Sequence, residues 1–432
     1  MFNNELWQKP TAAGATGIYP YQIANSLRLN GTSQALERSF SSTPSNADAK
    51  ALSFWIKRSG AGGTNSAFGS TTNTKLCSSS TGSGAVADML EINTNNPTGY
   101  SDQFHYYLAS GGANFLKAKW RDPSAWIHIV WIYNSDESTT TDRIKVYING
   151  ESNTINDSNY WDNDGNNGYP SSGADTSFGL NGNEMHIGRY VYDDAGWWGG
   201  QMADFIMIDG TASISDFGET HNGVWRPKDP SGLTFGTNGF WLKFTNASNP
   251  GEDFSGNDND FTNIGSIATH DQMLDSPTFG SQGSANFPII NMLDPTVDAS
   301  AISEGNLKIT EGNQRGGKAT FAVPLTGKWY WEAYCYADTA QEMWNGITGI
   351  TADSSGDGRG GSSNSNTYGA SWSQYSGSNY YIRKYIAGTE SAESGSFGTT
   401  KHTILGIAIN RDDNEAKFYK DNALQFTTSI SA

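Results

Sequence analysis

The chain has 432 residues, room for two or three domains that each bury a core, and its 14 Trp, 20 Tyr and 20 Phe exclude a disordered polymer even though only 36% of residues are apolar. A formal net charge of -17, with no cluster of Lys and Arg to offset it, creates a field that repels nucleic acid and anionic membranes. No stretch approaches the roughly 18 apolar residues of a bilayer span, and the start "MFNNELWQKP" lacks a basic and apolar leader pattern, so a soluble protein without a secretion signal is expected.

Residues 1–22 are polar and turn-rich, with Pro10, Gly14, Gly17 and Pro20 blocking regular structure, and are expected as an extended N-terminal arm. From 23 to 245 short runs follow one another: "SLRLNG", "LSFWIKRSG", "DMLEIN", "FHYYLAS", "FLKAKW", "AWIHIVWIYN", "RIKVYING", "MHIGRYVY", "MADFIMIDG" and "FWLKFT". Gly, Asn, Asp, Ser or Pro separates most of them, which is the pattern of an all-β sandwich. In "AWIHIVWIYN" both faces are largely apolar, so that strand is predicted to be central. "RIKVYING" instead alternates, with Ile144, Val146 and Ile148 facing inward, and Asn149-Gly150 predicts a two-residue hairpin turn. The helical signal is confined to "SISDFGE", with Ser213 or Ser215 as its cap.

Between 246 and 300 the pattern dissolves into turn formers with isolated apolar residues. An ordered but irregular connector is expected there, because Phe254, Phe261 and Phe287 are too many for a free linker. Strands return over 301–432, in "NLKITEG", "KATFAVPL", "GKWYWEAYCYA", "WNGITGI", "YYIRKYI", "HTILGIAIN" and "EAKFYKDN". The last two repeat the plan of "AWIHIVWIYN" and "RIKVYING": an apolar central strand, a polar turn, then a one-sided strand ending in a tight turn. Two β-sandwich domains are therefore predicted. Cys77 and Cys335 fall in different ones and are read as buried thiols rather than a disulfide.

Through "LSFWIKRSG", "DPSAWIHIVWIYN", "RIKVYINGE", "HIGRY" and "GGQMADFIMIDGTAS", the first region resembles the laminin G-like and concanavalin A-like lectin fold, a jelly roll. The second resembles a SPRY domain through "GKWYWEAYC", "GITGI", "HTILGIAIN" and "AKFYKDN". With "DFGE", "GVWRPKD", "GTNGFWLKF" and "DFSGNDNDFTN" between them, the order is similar to virion proteins of marine and cyanobacterial phages, tail-fibre or appendage components. The resemblance implies a virion-exterior protein assembled in the host cytoplasm and non-enzymatic. It would recognise a host cell-surface glycan or receptor, contact other virion subunits through the arm, and form a homo-oligomer. Two alternatives stand beside it: a capsid decoration or spacer protein, and a polysaccharide depolymerase. SPRY-like domains add strands after the "AKFYKDNALQ" hairpin, whereas this sequence stops at "TTSISA", so a C-terminally incomplete sandwich or an edge covered by a partner is expected.

The enzymatic relatives of the fold use an E-x-D-x-x-E strand, and none is present. In "MADFIMIDG", Asp204 is read as a rim residue and Asp209 as opening a turn. Neither G-x-S-x-G nor H-E-x-x-H occurs, and His105, His128 and His186 within strands are read as packed or hydrogen-bonded. Laminin G-like and pentraxin-like sandwiches hold Ca²⁺ in rim loops, and Asp157, Asp162, Asp164, Asp193 and Asp194 offer oxygens for that ion. "DNDGNNG" nevertheless departs from EF-hand spacing, and acidic turns on an acidic protein are often only solvated. Tyr160, Trp161, Tyr192, Trp197 and Trp198 lie in turn-rich segments, as do Tyr368, Trp372 and Tyr375 in the second domain. Such rings either stack on sugar C–H faces or fold inward to seal the sandwich ends.

Overall fold

The computed structural model describes residues 19–59, 74–80, 87–92, 102–109, 112–153, 168–192, 195–279, 283–294, 301–310, 317–336, 343–347, 368–375, 379–386, 389–396 and 402–430. Two compact units emerge, one built from Ala12–Met292 with Ala299–Ile309, the other from Leu293–Asp298 with Thr310–Ala432. No helix among the described residues is long and apolar enough to cross a membrane.

The strands of the first unit are, in chain order, β1 Ser26–Asn30, β2 Ala35–Ser39, β3 Ala49–Arg58, β4 Thr74–Ser80, β5 Asp88–Ile92, β6 Gln103–Leu108, β7 Gly112–Lys119, β8 Trp126–Asn134, β9 Ile144–Ile148, β10 Glu151–Ser152, β11 Glu184–Ile187, β12 Gly199–Ile208, β13 Gly218–His221, β14 Val224–Pro227, β15 Phe240–Leu242, β16 Thr262–Ile264, β17 Gln272–Met273, β18 Ile302–Ser303 and β19 Lys308–Ile309. Two large antiparallel sheets result. Sheet A has the order β10-β9-β8-β3-β12-β1-β17, with β15 also on β12, and sheet B the order β16-β2-β11-β4-β5-β6-β7. Alternation sends Phe54, Ile129, Trp131 and Phe205 of sheet A, and Leu36, Leu90, Tyr106 and Met185 of sheet B, into one core. Phe54 and Phe205 stack there at 4.6 Å, and each such buried ring contributes about 2–3 kcal/mol.

Strand β8 is central, between β3 and β9, and buried on both faces as its sequence predicts. Ile144, Val146 and Ile148 of β9 face the core, and Asn149 and Gly150 take the left-handed pair of φ angles, 51° and 82°, that a tight hairpin turn requires. Helix α1, Ile214–Phe217, starts after Ser213, whose N–H donates to the Asp216 carboxylate at 2.7 Å.

The stretch expected as a connector belongs largely to this unit. Up to Met292 it packs on the first sandwich, adding β16 to sheet B and β17 to sheet A. Buried ion pairs hold it: Arg28 to Asp271 at 2.6 Å and Lys57 to Asp275 at 2.8 Å. The described end of the expected arm is likewise tied to its own unit, since the Tyr21 hydroxyl donates to Asp204 Oδ1 at 3.0 Å.

In the second unit the strands are β20 Lys328–Tyr336, β21 Met343–Ile347, β22 Tyr368–Tyr375, β23 Asn379–Ile386, β24 Thr389–Ser396, β25 His402–Asn410, β26 Glu415–Lys420 and β27 Ala423–Ser429. They form two four-stranded antiparallel sheets, β20-β25-β26-β27 and β21-β22-β23-β24. Leu405, Ile407, Ile409, Phe418 and Phe426 make the core. Asp421 and Asn422, with φ of 44° and 68°, repeat the left-handed turn of Asn149-Gly150, so the doubled sequence phrase is a doubled hairpin.

Candidate functional site

Inward-facing residues of sheet B fix which side chains lie on its other face, because cross-strand neighbours point the same way. Cys77, Leu90, Tyr106 and Ile187 face the core. One row on the opposite face therefore runs Glu37, His186, Ser78, Met89, Tyr107, and the next row Lys75, Glu91, His105. The floor of this face is charged and recessed. Glu91, with its side chain 2% exposed, sits between Lys75 Nζ and His105 Nδ1, the latter at 2.5 Å. Burial alone would raise the Glu91 carboxyl, but the neighbouring Lys75 ammonium and His105 outweigh it and hold the group down to about 2.

Above that floor lies the loop after β11. Tyr190 and Tyr192 meet edge to face at 5.4 Å and pack with Val191 against Met89 and Tyr107. Lys75 Nζ lies 5.6 Å from the Tyr190 ring centre, and the Arg189 guanidinium 5.2 Å from that of Trp197. The Ser78 hydroxyl donates to the Arg189 carbonyl at 3.0 Å, and the Ser80 and Tyr192 hydroxyls are hydrogen-bonded, which pins the loop to the sheet. Tyr107, Tyr190, Tyr192 and Trp197 remain half-exposed. Trp198 does not join them: the chain crosses from sheet B to sheet A here, its N–H donates to the Gly188 carbonyl at 2.8 Å, and the indole is sealed in the core.

His186 Nε2 lies 2.9 Å from Glu184 Oε1 and 3.6 Å from Glu37 Oε2. This trio has the spacing of a metal site, all three ligand atoms lying within 4.8 Å of one another. The chemistry of the donor set argues otherwise. Nδ1 accepts from Arg189 Nε at 3.0 Å, which leaves the ring proton on Nε2, where a cation would need a lone pair. The trio is a hydrogen-bonded ion cluster.

Among the other sites read from the sequence, Asp157, Tyr160, Trp161, Asp162, Asp164, Asp193 and Asp194 lie outside the described residues. Tyr368, Trp372 and Tyr375 are on β22, paired on both sides, instead of in a turn-rich segment. The spacing of the sequence alone does not mark out Lys75, Glu91, Tyr107, Arg189 or Tyr190. For Glu91 and Tyr107 the signal is the outward set of alternate positions in "DMLEIN" and "FHYYLAS", visible once the register is known, whereas Lys75, Arg189 and Tyr190 join them only through the pairing of β4 and the loop after β11.

Sheet A buries further polar groups. His128 Nδ1 accepts from Trp225 Nε1 at 2.9 Å, so Nε2–H donates to Ser53 Oγ at 2.8 Å. A base activating Ser53 would need the opposite tautomer, and burial lowers the imidazole to about 3, so this serine–histidine contact is structural. Asp204 is not a rim residue. It occupies a bulge in β12 at φ 50°, accepts from Tyr21 and from Trp241 Nε1 at 2.5 Å, and is pushed up by burial to about 6. Asp209 is sealed as well, bonded to Lys50 at 2.9 Å and to the Asn238 N–H at 2.9 Å.

No protein-family model matches the sequence, and no curated protein is similar to it. Among solved structures the chain is similar to a heptameric SAP-like pentraxin from Limulus polyphemus, at 13% identity and TM-score 0.29, covering 45% of this chain and 80% of that one. A putative carbohydrate binding protein from Bacteroides ovatus gives 14% identity and TM-score 0.34, covering 56% of this chain and 59% of that one. Domains LG4-5 of the mouse laminin alpha1 chain give 8% identity and TM-score 0.31, covering 98% and 84%. At such scores none of these likenesses carries an argument about function.

Proposed function

We propose that this chain is a non-enzymatic recognition protein, a virion appendage whose first sandwich binds a host-surface glycan on the outer face of sheet B. The observation that carries the reading is the layering of that face: four half-buried aromatic rings share it, and one of them, Tyr190, lies over the recessed Lys75–Glu91–His105 cluster. Flat rigid rings cover sugar C–H faces at little entropic cost, and the paired charges beneath them keep the surface preorganised. The virion setting rests on the sequence resemblance, and calcium in the acidic loops goes with it as a second expectation.

The test is a glycan array and a host-cell adsorption assay with the full chain, each run with calcium and with chelator. Tyr190→Ala and Trp197→Ala should each weaken binding at least about tenfold, equivalent to about 1.4 kcal/mol. Absence of binding in every arm would overturn recognition, and undiminished binding by both variants would move the site elsewhere. Release of soluble sugar from host polysaccharide would replace the reading with a depolymerase.

A further inference from the structure

His186 stands where the ion cluster meets the aromatic layer. Its side chain is 1% exposed. In the neutral ring, Nδ1 accepts from Arg189 Nε at 3.0 Å and Nε2–H donates to Glu184 Oε1 at 2.9 Å. A protonated imidazole has two donors and no acceptor. A proton added at Nδ1 would face the Arg189 N–H across that same short distance, donor against donor and cation against cation, in surroundings that screen charge poorly.

We propose that His186 is a proton-operated switch on the face described above. Protonation leaves the imidazolium held by Glu184 and Glu37, expels the Arg189 side chain from Nδ1, and thereby removes the guanidinium lying over Trp197. The charged groups facing the ring are the carboxylates Glu37 on β2 and Glu184 on β11, both at Nε2, and the Arg189 guanidinium at Nδ1. Strand β4 presents only the uncharged Ser78 and Ser80 beside the ring, and its Lys75 is committed to Glu91. The bond from Ser78 Oγ to the Arg189 carbonyl keeps the backbone in place, so the movement is confined to a side chain.

The consequence for binding rests on the glycan reading of the face, whereas the movement itself does not. The experiment is a pH titration from 8 to 5 of the full chain, labelled with ¹⁵N at His, Arg and Trp side chains, followed by NMR without any sugar. The His186 signals should pass from the Nε2–H tautomer to imidazolium, and the Arg189 Nε–H and Trp197 Nε1–H signals should shift with the same midpoint. His186→Gln keeps an acceptor and a donor in these positions and should hold both signals constant. If that variant fails to fold, Glu184→Gln serves: the Arg189 and Trp197 signals should still move together with those of His186, and signals that move apart would overturn the switch. Arg189 and Trp197 signals that stay constant while His186 titrates would overturn the switch, as would a ring that stays neutral until the protein unfolds. Failure on the glycan array with a shared NMR midpoint would sink the recognition reading and leave the switch standing.

Discussion

Lys57 Nζ and Asp275 Oδ2 meet at 2.8 Å with both side chains almost sealed from water, although 218 residues separate them. Asp275 Oδ1 also accepts from Trp126 Nε1 at 2.9 Å, so one carboxylate fastens the segment after β17 to both β3 and β8. Asp275→Ala leaves a buried ammonium without its counter-charge, which costs about 3–5 kcal/mol. Urea unfolding should show that loss, together with new protease cleavage between 246 and 292. A variant as stable and as resistant as the wild type would mean that this segment is not part of the sandwich.

Gly150 should tolerate no side chain. Its φ of 82° is in the left-handed region, and a Cβ there would collide with the Trp225 ring. Gly150→Ala is expected to lose about 2–4 kcal/mol in a denaturant titration, combining strain and overpacking. A change under half a kcal/mol would contradict the turn geometry.

The Ser53–His128 contact makes an opposite kind of prediction, about reactivity. With Nε2 as donor, Ser53 has no base to take its proton. A fluorophosphonate probe should leave the folded chain unlabelled. Labelling that disappears in Ser53→Ala would show that the tautomer is reversed. Trp225→Phe removes the donor to buried Nδ1 and should cost about 1–3 kcal/mol.

Asp204 gives the molecule an inverted acid response. Its folded value is raised from 3.8 to about 6, so folding favours the protonated acid, and this stability is fully present below 3.8 and lost as pH rises through 6. At pH 7 the group has given up at most about 3 kcal/mol relative to pH 3. His128, lowered from 6.5 to about 3, acts in the other direction across much of the same range. The difference between wild type and Asp204→Asn isolates the aspartate. Its stability gap should narrow as pH falls from 7 to 4, and a gap independent of pH would refute the assignment.

What could be read from the sequence was whatever depends on near neighbours. Alternation in "RIKVYING" and the Asn149-Gly150 pair specify a one-sided strand and its turn without reference to the rest of the chain, and the same holds for "EAKFYKDN". No local pattern shows where the stretch after 246 docks, because the ion pairs that order it, Arg28 with Asp271 and Lys57 with Asp275, join residues more than two hundred positions apart. Trp197 and Trp198 illustrate the same limit. Adjacent and alike in composition, they part company only where the chain passes between sheets, one toward Arg189 and the other into the core. The charged floor of sheet B needed the register of five strands, which no local pattern supplies.

Strand β17 lies antiparallel to β1, with Ser26 opposite Met273 and Leu27 opposite Gln272. Inlet and outlet of this strand pair therefore run side by side at one end, where Ile23 N–H also donates to Thr278 Oγ1 at 2.8 Å. Tension applied across these two neighbouring strand ends would load the seam as a zipper, bond by bond, rather than in parallel shear. Load arriving from the β17 side would first meet Asp275, just beyond Met273 and bolted to Lys57 of β3, while Arg28 and Asp271 close the far end, so an electrostatic bolt stands on either side of the few backbone bonds of this seam.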